Sequence, residues 1–173
     1  MKKIQFKFIQ LIFGVVLLLV SISCIKNEEI LFTDTLVEWD ATTFNAKASG
    51  KEYALFTRVP VYGAAVNNAQ PLITRTSGEI RLRVNLVGPQ RSSAIEIPYS
   101  VVSAESTAVQ GTHYSMAGTV TIPANSSFGE VLVNVLDAGA SSGNRILVLQ
   151  LDGNAEIQPS TRYRQVGLSI NQQ

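Results

Sequence analysis

The sequence is short of the residues that enzymes and metal sites most often use. It holds one cysteine, one histidine and one tryptophan among 173 residues. A single cysteine excludes an internal disulfide. The lone His113 has no Cys/His spacing around it that would suit zinc. Its setting in "GTHYS" reads as a turn histidine, exposed or packed on Tyr114, although histidine is also a common catalyst. No Gly-x-Ser-x-Gly elbow occurs, and "SSG" at 141–143 is only turn-like. Thirteen acidic residues are scattered along the chain, and no glycosidase pair stands out among them. Charge is scarce, at 16%, and balanced, with 14 Lys plus Arg against 13 Asp plus Glu. There is no basic excess to draw a phosphate backbone, so nucleic acid is not an expected partner. An enzyme is not expected, nor a cofactor or metal ion.

What is present begins with the flanks of the cysteine. Lys2, Lys3 and Lys7 precede "FIQLIFGVVLLLV", Phe8 to Val20, an apolar run of 13 residues. A membrane span needs roughly 20, so residues 1–23 read as a signal peptide. Small Ser21 and Ser23 lead into Cys24. "VSISC" resembles the lipobox of bacterial lipoproteins, with Ser21 where leucine is usual. That resemblance makes Cys24 the lipidated mature N-terminus. Each buried acyl methylene adds about 0.8 kcal/mol of membrane affinity, so two or more chains anchor stably. A soluble secreted protein cleaved near Ser23, or a retained membrane anchor, are the other readings. The polar "IKNEE" that follows, with Glu28 and Glu29, resembles the acidic export tag of surface lipoproteins in the Bacteroidetes, although a solvated linker would look similar. The expected organisation is signal peptide 1–23, tether 24–33 and one domain over 34–173. The expected location is the outer membrane, lipid-anchored and facing the cell exterior.

Beyond the tether no window sustains a helical period; the recurring signal is alternation. "GEIRLRVNLVG", Gly78 to Gly88, puts Ile80, Leu82, Val84 and Leu86 on one face and Glu79, Arg81, Arg83 and Asn85 on the other. That is a strand half-buried on a core. Strands are also expected at Thr35–Ala41, with Val37 and Trp39 inward, and at Tyr53–Val59, Ile95–Ser103 and Gly118–Ala124. Glu130–Asp137 and Arg145–Leu151 are apolar on both faces and read as central strands. Arg164–Ile170 closes the set. Pro98 inside its strand implies an edge or a bulge. Turn chemistry separates the runs, and no helix-length crossover exists. The fold class is all-β: an immunoglobulin-like antiparallel β-sandwich of about 7–8 strands.

"VQGTHYSMAGTVTIPANSSFGEVLVNVLDAGASSGNRILVLQL", Val109 to Leu151, resembles the Calx-beta pattern at Gly111, Tyr114, Gly118, Thr119, Pro123, Leu136 and Asp137. Calx-beta domains are immunoglobulin-like sandwiches. The layout is also similar to N-terminal domains of Bacteroidetes lipoproteins, many encoded beside starch-utilisation-type uptake systems. The resemblance implies a non-catalytic accessory module contacting glycan or a neighbouring outer-membrane transport protein. A structural or adhesive immunoglobulin-like module is the alternative. One departure bears on metal. Calcium-binding members cluster carboxylates, because calcium takes 6–8 oxygens. Here "LDAGAS" leaves Asp137 alone, and Asp152 lies beyond the next strand. Both read as turn formers.

The long segment Val59 to Gly78 exceeds a hairpin's needs. It either covers one end of the sandwich or forms a recognition surface, since function concentrates on loops held by a rigid scaffold. For the second reading the contact candidates are Tyr62, Asn67, Asn68 and Arg75, with Gln70 nearby. Tyr62 is the candidate platform for a sugar ring. Trp39 reads as core, because large aromatics dominate burial.

Overall fold

The computed structural model describes residues 34–44 and 46–173. The expected signal peptide, the expected tether and Cys24 lie outside them. Ten strands follow in chain order: β1 Leu36–Trp39, β2 Ala54–Phe56, β3 Glu79–Val87, β4 Ile95–Val101, β5 Tyr114–Ser115, β6 Thr119–Ile122, β7 Phe128–Val135, β8 Asn144–Leu151, β9 Gln158–Pro159 and β10 Gln165–Asn171. A single 3-10 turn spans Ser103–Glu105. Eight strands coincide with the alternating runs; β5 and β9 are additions of two residues each. So short a strand shows no alternation to read.

The strands form two five-stranded sheets, ordered β5-β7-β3-β1-β9 and β2-β10-β8-β4-β6. The long ladders are antiparallel. Two short pairings, β1 with β9 and β10 with β2, are parallel. Neither pair is joined by a hairpin, so nothing imposes the antiparallel sense there.

β3 behaves as its alternation demands: Ile80, Leu82 and Val84 are fully buried and Leu86 nearly so. β8 is central, between β10 and β4. β7 is a correction. It lies next to the two-residue edge strand β5, and its apolar outward residues Phe128 and Leu132 are exposed. Apolar residues on both faces therefore did not mark a strand buried on both faces. Pro98 sits at the end of the β4–β8 ladder: its carbonyl accepts from Asp152 N at 3.0 Å, and regular pairing starts at Tyr99, one residue later. Its missing N–H therefore falls where the ladder stops and not in its middle.

The core lies between the sheets. Trp39 is fully buried, and its indole Nε1–H donates to the Arg164 carbonyl at 3.0 Å. Phe44 and Tyr99 pack edge-on against it, each at 6.4 Å between centroids. Where the sheets converge, β7 crosses hard against β6. A Cβ on Gly129 would lie 2.5 Å from the Thr121 carbonyl oxygen, so only glycine fits.

The Val59–Gly78 segment is tied down rather than free. Val59 N donates to Pro71 O at 3.0 Å and Ile73 N to Thr57 O at 2.9 Å, which folds 57–73 back on itself. Fully buried Ile73 then leads the chain alongside the end of β10, where Asn171 N donates to its carbonyl at 2.9 Å.

Candidate functional site

The β3/β7 ladder presents its outer face to solvent. Register places Arg83 opposite Glu130 and Arg81 opposite Leu132. Strand alternation then puts Glu79, Arg81, Arg83, Phe128, Glu130 and Leu132 together on that face. Arg81 is the hub, pairing with Glu79 at 2.6 Å and with Glu130 at 3.0 Å. The Arg83 guanidinium lies 4.0 Å over the Phe128 ring, a cation–π stack. Phe128 is 38% exposed and Leu132 42%.

Two shallow hollows flank the Arg81–Glu130 pair. One, about 480 Å³, is bounded by Phe128, Glu130 and Leu132 with Thr121 and Pro123. The other, about 290 Å³, lies between Arg81 and Glu79 on one side and the Val59–Tyr62 segment on the other. Asp40, just past β1, holds that segment in place. Its carboxylate accepts from Thr43 Oγ1 at 2.8 Å, Gly63 N at 3.2 Å and Asn85 Nδ2 at 3.2 Å. Burial alone would raise its pKa, but these bonds and one from Thr42 N outweigh burial and lower it.

Tyr62 is brought to this face. Its hydroxyl is buried without a hydrogen-bond partner. Burial first, and then the nearby Glu130 carboxylate, pushes the phenol pKa up to about 12, so it stays neutral. The ring is half-buried and is not a free-standing platform. The other candidates are not brought to it. Asn67 shapes its own turn, accepting from Ala69 N at 2.8 Å and donating through its backbone N to Gln70 Oε1 at 2.6 Å. Asn68 is exposed at the same turn. Arg75 is bound to Asp137 and, through its backbone N, to the Asn171 carbonyl at 2.8 Å. His113 is occupied in a turn, its Nδ1 accepting from Val109 N at 3.0 Å.

Sequence reasoning passed over Phe128, Glu130 and Leu132. Their signal was present in the two-sided apolar character of β7. On a strand beside a short edge, such a pattern marks an exposed patch.

No family model and no curated protein matches the chain. Solved structures do match it. The apo-form Calx CBD1 domain aligns with a TM-score of 0.50 at 12% identity, over 80% of this chain and 98% of that one. CBD12 from CALX1.2 aligns with a TM-score of 0.48 at 17% identity, and the calcium binding domain CBD12 of CALX1.1 with 0.45 at 16%. Each of these two covers 57% of this chain, and the chain spans only 40% of their length. The fold is thus a Calx-beta-like β-sandwich.

Calcium can be tested against the donors present. Asp137, the acidic residue after β7, accepts from Arg75 Nη1 and from Gly139 N at 2.9 Å. The Arg75 guanidinium is the main cause that holds its carboxyl below the ordinary value. Asp152 accepts from Ser100 Oγ at 3.0 Å and Gln150 Nε2 at 3.2 Å. No group of three or more acidic, histidine or cysteine side chains converges among the described residues. A guanidinium already sits on the oxygen a cation would need, so the donor set does not fit calcium, which wants 6–8 oxygens.

Proposed function

We propose that the chain is a non-catalytic accessory module, held at the outer-membrane surface by lipid on Cys24. Its β3/β7 face docks on a neighbouring transport protein of a polysaccharide-uptake assembly. The observation that carries the reading is the face itself. Exposed Phe128 and Leu132 stand beside Arg81 and Arg83, and hollows open on both sides of the Arg81–Glu130 pair. Aromatic residues and arginine dominate interface hot spots, and apolar side chains inserted into such hollows are desolvated on binding. The alternation of Glu79, Arg81, Arg83 and Glu130 selects a partner carrying both signs in matching order. The alternative, a structural or adhesive module, uses the same face against a second copy of this chain.

A photo-crosslinker at position 132, in cells expressing the full chain, separates these. Capture of an outer-membrane transport protein, lost with Arg81→Glu, supports the accessory reading. Self-crosslinks support the adhesive one. No crosslink at all sinks both. The anchor has its own test. Cys24→Ser releases the protein into the soluble fraction; continued pelleting with outer membrane after a high-salt wash overturns the lipid anchor.

A further inference from the structure

We propose that the end of the sandwich nearest the start of β10 carries a second binding site, for a sugar ring bearing a carboxylate. A hollow of about 200 Å³ opens there, lined chiefly by Lys47, Glu52, Tyr53, Arg162, Tyr163 and Gln165. It is more enclosed than either hollow of the β3/β7 face. The site adds to the polysaccharide part of the reading above and is separate from the docking face.

Its walls are firmly held. Tyr53 and Ala54 are buried, as is Phe44 beneath. The turn that carries Arg162 and Tyr163 is pinned from the core: Trp39 donates through its backbone N to Tyr163 O at 2.9 Å and through Nε1 to Arg164 O at 3.0 Å. A turn fixed to the largest core side chain holds the backbone that carries Arg162 and Tyr163 in place before a ligand arrives.

The chemistry of the lining selects the ligand. Lys47 and Glu52 form a rim ion pair at 2.6 Å, with side-chain exposures of 48% and 89%. Arg162 joins none of the ion pairs among the described residues. Two cations against one carboxylate leave an uncompensated positive charge, and a guanidinium fork matches a carboxylate in two parallel hydrogen bonds. The Gln165 amide nitrogen donates to Gln150 Oε1 at 2.9 Å, so its carbonyl oxygen is the end available to a ligand. With Glu52 it offers acceptors, while Lys47 offers donors. Neighbouring donors and acceptors are what adjacent sugar hydroxyls require, because each hydroxyl both gives and accepts. Half-buried Tyr163 adds an aromatic surface for the C–H face of the ring. A simple carboxylic acid has no hydroxyls and leaves the acceptors unused.

The test is a titration of the full chain in detergent with glucuronate, glucose and acetate. Glucuronate binds at least roughly tenfold tighter than either of the others, as charge-assisted bonds added to hydroxyl contacts require. Arg162→Gln reduces glucuronate affinity to that of glucose, while Arg162→Lys keeps part of the preference. Tyr163→Leu weakens both sugars. Melting curves confirm that each variant is folded. Arg81→Gln, on the docking face, leaves glucuronate binding unchanged. Equal binding of acetate and glucuronate overturns the sugar assignment. Equal binding of glucose and glucuronate overturns the role of Arg162. Absence of binding by the folded chain, or its loss in Arg81→Gln, overturns the site, whatever the crosslinking of the docking face shows.

Discussion

The two outer faces of the sandwich differ in who covers them. On the β2-β10-β8-β4-β6 sheet, Val148 lies outside the main core cluster and is nevertheless fully buried. It pairs across the ladder with Gly167, and a Cβ there would come within 3.0 Å of the Tyr53 ring. The Tyr53 ring thus lies against the glycine. Its hydroxyl donates to Glu105 Oε2 at 2.7 Å in the 3-10 turn, and Lys51 Nζ reaches the same oxygen at 2.8 Å. Ser106 Oγ accepts from Val148 N at 2.9 Å and seals that turn to β8. The β3/β7 face carries apolar residues as well, but Arg83 shields only part of Phe128, and both Phe128 and Leu132 stay exposed. One face makes a second small core from its own chain. The other leaves comparable side chains in water, where a partner must supply the cover.

Aspartate placed outward on each face breaks that contrast most sharply. Val148→Asp buries a charge without a partner and costs several kcal/mol, a large part of a stability of about 5–15 kcal/mol. Leu132→Asp stays within about 0.5 kcal/mol. Equal losses in urea melts would mean that the β3/β7 face is covered too. Next comes Gly167→Val, which forces atoms into Leu55 and Tyr53 and costs about 1–3 kcal/mol by overpacking. An unchanged midpoint would show that Tyr53 does not lie against β10. Removing single hydroxyls gives a finer test. Tyr53→Phe loses the bond to Glu105 and costs about 1 kcal/mol, whereas Tyr62→Phe deletes a buried hydroxyl with no partner and is neutral or stabilising. The reverse order in calorimetry would overturn both assignments.

The smallest effect concerns Asp40, which holds the Val61–Gly63 segment beside the open face. Its folded pKa lies below its ordinary 3.8. The resulting stabilisation is complete above that value and fades as pH falls through the lower folded value. Denaturation midpoints measured from about pH 5 down to about pH 2 should fall more steeply in the wild type than in Asp40→Asn. Parallel curves would remove Asp40 from this role.

Much of the framework was legible because alternation reports which side of a strand meets the core. Ile80, Leu82 and Val84 announce themselves in this way, and so does Trp39 beside Val37. Alternation says nothing about a strand's neighbours, so β7 could not be placed near an edge from its own residues. The open face is harder to read, because Tyr62, Arg81 and Glu130 meet only through loop path and cross-strand register. Arg75 and Asp137 are 62 positions apart, and only the completed fold brings the guanidinium to the carboxylate. The turn that pins Arg162 and Tyr163 depends in the same way on Trp39, far away in sequence.

The edge strands β5, β9, β2 and β6 run to 2, 2, 3 and 4 residues. A long bare edge is a template onto which another chain zips a strand, the first step toward fibres. Here β9 ends in Pro159, which has no N–H to offer, and β6 is closed at Thr121 by the approach of Gly129. At β9, β2 and β6, among the described residues, a crowded copy of this domain meets only a few backbone groups to pair with. Beside Phe128 and Leu132 the guard is thinner, because β5 pairs with β7 only at Asn134 and Val135, and there a docked partner would shield backbone as well as side chains.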